Sequence, residues 1–183
     1  LAGTDEQASH HGAGVGTTAD LGLATATFWS LTARATTTER DLPEVRYIPA
    51  VAPYCATASV IGYRWGPYLQ EALSGQVPRL PDRLPRWAIG HLLRTLRNAT
   101  SIERRQLVDA ALTDIRDALH ILSRTAVVPE RPTIAVHGGG LVGLRSFTVE
   151  VMQRLGYPWV ALEGDATQLG CCLVGMAGSG GSG

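Results

Sequence analysis

Lysine is absent from this chain of 183 residues; all sixteen basic residues are arginine, and sixteen acidic residues cancel them. Zero formal charge, with no arginine stripe, gives no electrostatic footprint for nucleic acid or an anionic membrane. Cysteine is nearly absent too. Cys55, Cys171 and Cys172 cannot form a disulfide framework, and no second Cys/His pair stands at zinc-ligand spacing. The adjacent Cys171 and Cys172 lie in an apolar run, where small buried residues are expected. A reducing, cytoplasmic setting is the matching expectation. No apolar stretch reaches membrane-spanning length, and no charged-then-apolar leader opens the chain.

What is present is enough apolar material, 45% of residues, for one domain with a real core. The stretch Asp20 to Ala35, rich in Thr, Leu and aromatics, predicts strands. A further strand pair is expected from Val45 to Ile61, with Pro49 and Pro53 limiting regular pairing. "YRWGPYLQEAL" turns helical, and the Pro-rich segment from Gly75 to Pro85 reads as a connector. Thr100 and Glu103 stand at capping-box spacing, opening a helix over Ser101 to Arg124. Within it Val108, Leu112, Ile115, Leu119 and Leu122 form one buried stripe, with Asp109, Asp114, Arg116 and Asp117 on solvated faces. The strand "TIAVH", a glycine run, a helix from Arg145 to Leu155, the strand "PWVALE" and a helix after Asp165 complete an α/β pattern. The ends of the chain suggest a fragment of something longer, with residues 1–177 as the domain and 178–183 as a flexible tail. Trp29, Trp65, Trp87 and Trp159 are expected in the core or an interface. His10 and His11, adjacent on a helix, are expected at the surface or in a cap.

The glycines after "TIAVH" admit several readings. Gly138, Gly140 and Gly143 spell G-x-G-x-x-G between a strand and a helix, and Glu163 ends the next strand about 20 residues later, as in dinucleotide-binding sites. There glycines let the backbone approach a pyrophosphate, and the helix N-terminus supplies partial positive charge. The tetrapeptide His137 to Gly140 also matches an esterase oxyanion loop, but no complete nucleophile elbow follows it.

Another reading covers nearly the whole chain. "LAGTDEQASHHGAGV", "YCATASVIGYRWGPYLQEAL", "IERRQLVDAALTDIRDALHIL" and "TIAVHGGG…VMQRLGYPWVALEGDATQLGCCLVG" stand in an order that resembles the C-terminal domain of FGGY-type sugar kinases, the family of xylulokinases and glycerol kinases. Asp5, Gly12, Gly14, Asp20 and Thr27 fall at that family's spacing. The sequence departs from it at the phosphate loop, where Ala26-Thr27-Phe28 replaces Gly-Thr-Ser, and Ala26 adds a Cβ where a phosphate would approach. Glu6 and Gln7 replace small residues, and the Gly140-to-Pro158 spacing differs by about one residue.

The resemblance implies an actin-like ATPase (ribonuclease H-like) domain, a mixed sheet flanked by helices. It implies ATP-dependent phosphorylation of a sugar or polyol, with ATP and Mg²⁺ required. Asp5 would be the catalytic base. Ala26 and Thr27 would meet the terminal phosphates, and Gly138, Gly139 and Gly140 would lie against the adenosine. A missing N-terminal kinase domain would hold the sugar and the Mg²⁺-organising aspartate, leaving the isolated chain inactive, and a homodimer is a further partner. A dinucleotide-binding domain and a non-catalytic kinase-fold interaction module stay open as alternatives.

Overall fold

In a computed structural model of the chain, the structure describes residues 5–25, 29–36, 42, 45–50, 55–62, 100–138 and 145–179. The segment "YRWGPYLQEAL", the Pro-rich connector, Trp65 and Trp87 lie outside these residues.

The elements in chain order are α1 (Asp5–Gly12), β1 (Leu21–Thr25), β2 (Trp29–Arg34), β3 (Val45–Ile48), β4 (Thr57–Gly62), α2 (Ser101–Leu122), β5 (Ile134–His137), α3 (Arg145–Leu155), β6 (Trp159–Ala161) and α4 (Ala166–Ser179). The strands form one six-stranded sheet in the order β3-β4-β2-β1-β5-β6. Its first part is antiparallel: β1 pairs with β2, β2 with β4, and β4 with β3. The rest is parallel, with β5 joining β1 and β6 joining β5. The fold is thus mixed α/β, and the strands and helices expected within the described residues fall on these elements.

Strand alternation divides the sheet into two unlike faces. Leu21, Leu23, Trp29, Leu31, Ala33, Ala58, Val60, Ile134 and Val136 turn to one face and pack with Val108, Leu112, Ile115, Leu119 and Leu122 of α2 and Phe147, Val151, Met152 and Leu155 of α3. The stripe on α2 is buried throughout, and Trp159 packs at the margin of this core. Ion pairs between Arg104 and Glu150 and between Arg154 and Asp109 join α2 to α3 near the surface.

The opposite face carries Gly22, Ala24, Ser30, Thr32, Ser59, Arg46, Ala135 and His137, small or polar residues in the alternate register. Helix α1 covers it and packs against α4. Their crossing is backbone on backbone: a methyl at Gly12 would overlap the Ala166 carbonyl oxygen, and one at Gly170 would overlap the Ala8 carbonyl oxygen. A paired cap ends α1, with the Val15 N–H donating to the His10 carbonyl and the Gly14 N–H to the His11 carbonyl, both at 3.0 Å, and Gly14 at φ 75°. Asp165 opens α4, its Oδ1 accepting the N–H groups of Thr167 at 2.9 Å and Gln168 at 3.1 Å.

Three expectations need correction. Cys171 and Cys172 are exposed. Helix α4 turns Ala166 and Gly170 toward α1, so the cysteines, with Leu169 and Leu173, fall on its outward side. An apolar sequence on both sides of a helix does not say which side is covered. Helix α4 also continues through Gly178 and Ser179, two residues into the expected tail. Finally, His10 is buried, only 1% exposed, because Gly22 beneath it has no side chain.

Candidate functional site

Strands β1 and β5 run parallel and end side by side at Thr25 and His137. After β1 the chain passes to β2, and after β5 to β6, which lie on opposite sides of this pair. Ligands of open α/β sheets bind outside the carboxyl ends of parallel strands, and here the ends of β1 and β5 meet at that edge, with β1 turning back into antiparallel β2.

The two strand ends are joined closely. The Thr25 hydroxyl donates to the His137 carbonyl at 2.8 Å. Gly138 follows at φ 101°, in the region that side chains disfavour, and a Cβ there would stand 2.9 Å from the Thr25 carbonyl oxygen. Glycine is required here both for the turn and for the approach. At the other end of these strands Asp20 Oδ2 accepts the Thr133 N–H at 2.7 Å, fixing the register.

Helix α1 adds a polar layer beside these ends. Ala135, Gly22, Thr32, Ser59 and Arg46 are successive cross-strand partners, one row across five strands. Glu6 lies over the far end of that row, where Ser59 Oγ donates to its Oε1 at 3.1 Å and Arg46 Nη1 stands 3.0 Å from its Oε2. Ser59 has one proton to give, so Thr32, 2.7 Å away, donates to Ser59 in turn. Gln7 Nε2 donates to the Pro49 carbonyl at 2.9 Å. Over the near end, the His10 ring fills the space above Gly22, where a Cβ would come within 2.8 Å of Nδ1. The rings of His10 and His137 meet edge to face, 5.3 Å between centroids and 83° between planes. Ser9 Oγ lies 3.1 Å from His137 Nδ1.

The electrostatics follow from this burial. His137 is pushed down to about 3, first by desolvation and then by the nearby His10, so its imidazole is neutral at ordinary pH. Its Nε2 and both ring nitrogens of His10 are buried with no hydrogen-bond partner among the described residues. Glu6 is held below the usual carboxylate range. His10 contributes most to this, its Nε2 3.8 Å from Glu6 Oε1, a distance that makes the contact one of charge and dipole rather than a formed hydrogen bond. Burial opposes the shift, while Arg46 and the Ser59 hydroxyl support it.

Of the residues singled out from sequence, Asp5 is the first residue of α1, and Gly138 forms the turn beyond β5. Ala26 and Thr27, which follow Thr25 directly, lie outside the described residues, as do Gly139, Gly140 and Gly143. Gly12 and Gly14 serve helix packing and capping, respectively. Glu163 is exposed and pairs with Arg145 at 2.7 Å. Sequence reasoning missed Ser9, His10 and the Glu6–Arg46 pair as members of one layer. The readable signal was Gly22, a glycine on a buried strand, which marks the close approach of another group. Among the described residues there is no group of three His, Cys, Asp or Glu side chains that could hold a metal ion. Likewise, no helix among them is long and apolar enough to cross a membrane. No family model matches the chain, and no curated protein matches it.

Proposed function

We propose that the chain is the nucleotide-binding half of an ATP-dependent sugar or polyol kinase, with an actin-like sheet whose phosphate crevice lies at the ends of β1 and β5. The observation that carries this reading is the Gly138 turn pressed against Thr25, where two parallel strands end and the chain diverges. The side of Gly138 where a Cβ would stand is filled by Thr25, so it is the glycine run beginning there in the sequence, bare of side chains, that suits a phosphate or a nucleotide touching the main chain. The antiparallel run β1-β2-β4, continued on the other side by parallel β5 and β6, supports a kinase-type sheet over a dinucleotide domain, whose sheet is mostly parallel.

On this reading Asp5 accepts the proton of the attacking sugar hydroxyl, and Thr27 hydrogen-bonds the terminal phosphates. The glycine run Gly138 to Gly140 faces the adenosine. Phosphoryl transfer is mainly positioning and charge stabilisation, with a carboxylate near the nucleophile. The sugar and Mg²⁺ are assigned to a separate N-terminal domain, and without it turnover is negligible because positioning is lost. Ala26 narrows the approach of phosphate and weakens the site.

Glu163 favours one rival, a dinucleotide site on β5-α3-β6, since it stands just beyond β6 with a partner at the start of α3. Competitive calorimetry with ADP and NAD separates the two. The expected result is tighter binding of ADP, unaffected by Glu163→Ala. Tighter binding of NAD that Glu163→Ala weakens overturns the kinase reading.

A further inference from the structure

His137 touches each part of the site on a different atom. Its carbonyl accepts from Thr25 at the end of β1, and its peptide leads into the Gly138 turn. Its ring meets Ser9 through Nδ1 and His10 edge to face, both on α1. Being 1% exposed, the ring has no freedom to swing into solvent. Ser9 follows Asp5 by four residues, one turn of the same helix. The buried imidazole thus links the peptide that leads into the Gly138 turn with Ser9 and His10 of α1.

We propose that Ser9 and His137 are a positioning pair that couples occupancy of the Gly138 turn to the first two turns of α1, and so to Asp5. This rests on the nucleotide reading above. Such coupling requires that the ligand favour one arrangement of the pair, because a ligand shifts an equilibrium only by its differential affinity for the two states. The ring stays neutral, so the contact is a single hydrogen bond whose loss leaves no buried charge.

Hydrogen exchange of the α1 amides, with and without saturating ADP, tests the coupling in the wild type, Ser9→Ala, Ser9→Thr and His137→Asn. ADP is expected to slow α1 exchange in the wild type by about fivefold or more, the lower end of ordinary site-to-site coupling. In Ser9→Ala, ADP still binds but the slowing disappears. Ser9→Thr retains the hydroxyl and His137→Asn places an amide near the Nδ1 position, so both restore it, which a purely structural role would not require. Equal slowing in the wild type and Ser9→Ala, with ADP bound to both, overturns the coupling alone. Absence of ADP binding to the wild type overturns the nucleotide reading and the coupling with it. If Ser9→Ala loses its thermal unfolding transition, His137→Gln, whose amide is moved away from Ser9, takes its place with the same two outcomes.

Discussion

The two faces of the sheet are built from the same strands yet held by different physics. Under α2 and α3 the contacts are large apolar side chains, Leu, Ile, Met, Phe and Trp, and stabilisation grows with the area removed from water. Under α1 and α4 the residues are Gly, Ala, Ser, Thr and His, with a small cluster of Ala13, Ala19 and Ala135 in place of a broad core. There little apolar area is available, and α1 is held by hydrogen bonds, the Glu6–Arg46 ion pair and a close backbone crossing. An apolar face absorbs small changes of shape and suffers from truncation. The polar face suffers from additions and from protons.

The largest effect is expected on the apolar face. Phe147, 1% exposed and edge to face with Trp29, should cost about 3–5 kcal/mol on truncation to Ala. Urea unfolding measures it, and a loss under about 1 kcal/mol would break the contrast at its stronger side.

Acid should act on the polar face next. His137 has a folded value of about 3 against an ordinary 6.5, so the unfolded chain binds the extra proton between those limits. Its contribution is full above pH 6.5 and is lost as pH falls toward about 3, at no more than about 1.4 kcal/mol per pH unit. Glu6, lowered from 4.5, adds a loss in the same direction below that value. The midpoint of urea unfolding should therefore fall on acidification, and His137→Asn should flatten the slope between pH 6.5 and 4.5. An unchanged slope would show that the imidazole is not held neutral by burial.

A single added methyl sharpens the comparison. Gly170→Ala is expected to cost about 1–3 kcal/mol, because the Cβ meets the Ala8 backbone rather than a side chain that can turn aside. A neutral or stabilising result, as for glycine to alanine in an ordinary helix, would mean that α1 and α4 can separate without cost. Smaller still, Asp165→Ala should cost about 1 kcal/mol through loss of the α4 cap, measured as a lower thermal midpoint.

These differences also explain what could be read from sequence. The α2 stripe was legible because burial at helical spacing is a local pattern, and its five residues are all buried. Helix α3 was legible as the stretch from about Arg145 to Leu155 that follows the glycine run, and it falls there. His10 was not, since its burial depends on Gly22 and His137, which meet it only across the sheet. Cys171 and Cys172 failed for want of a contrast between the sides of α4. Of the candidate site, the glycine turn and the helix bearing Asp5 could be marked from sequence. The Ser9–His137 contact depends on which strand lies beneath α1, and no spacing states that.

The crossing of α1 and α4 has a consequence for the order in which the chain assembles. Gly12 and Gly170 lie near opposite ends of the described chain, so their contact closes a very long loop. Closure entropy rises only slowly with loop length, but pairings this distant in sequence slow folding. The seat of α1 is complete only after α4 has been synthesised, when the antiparallel strands and α2 have long been available to pair. Until then the sheet shows water its hydroxyl row and Gly22 rather than a sheet of leucine. A face that must wait for its cover is safer wet than greasy, since exposed apolar strands invite pairing with other chains.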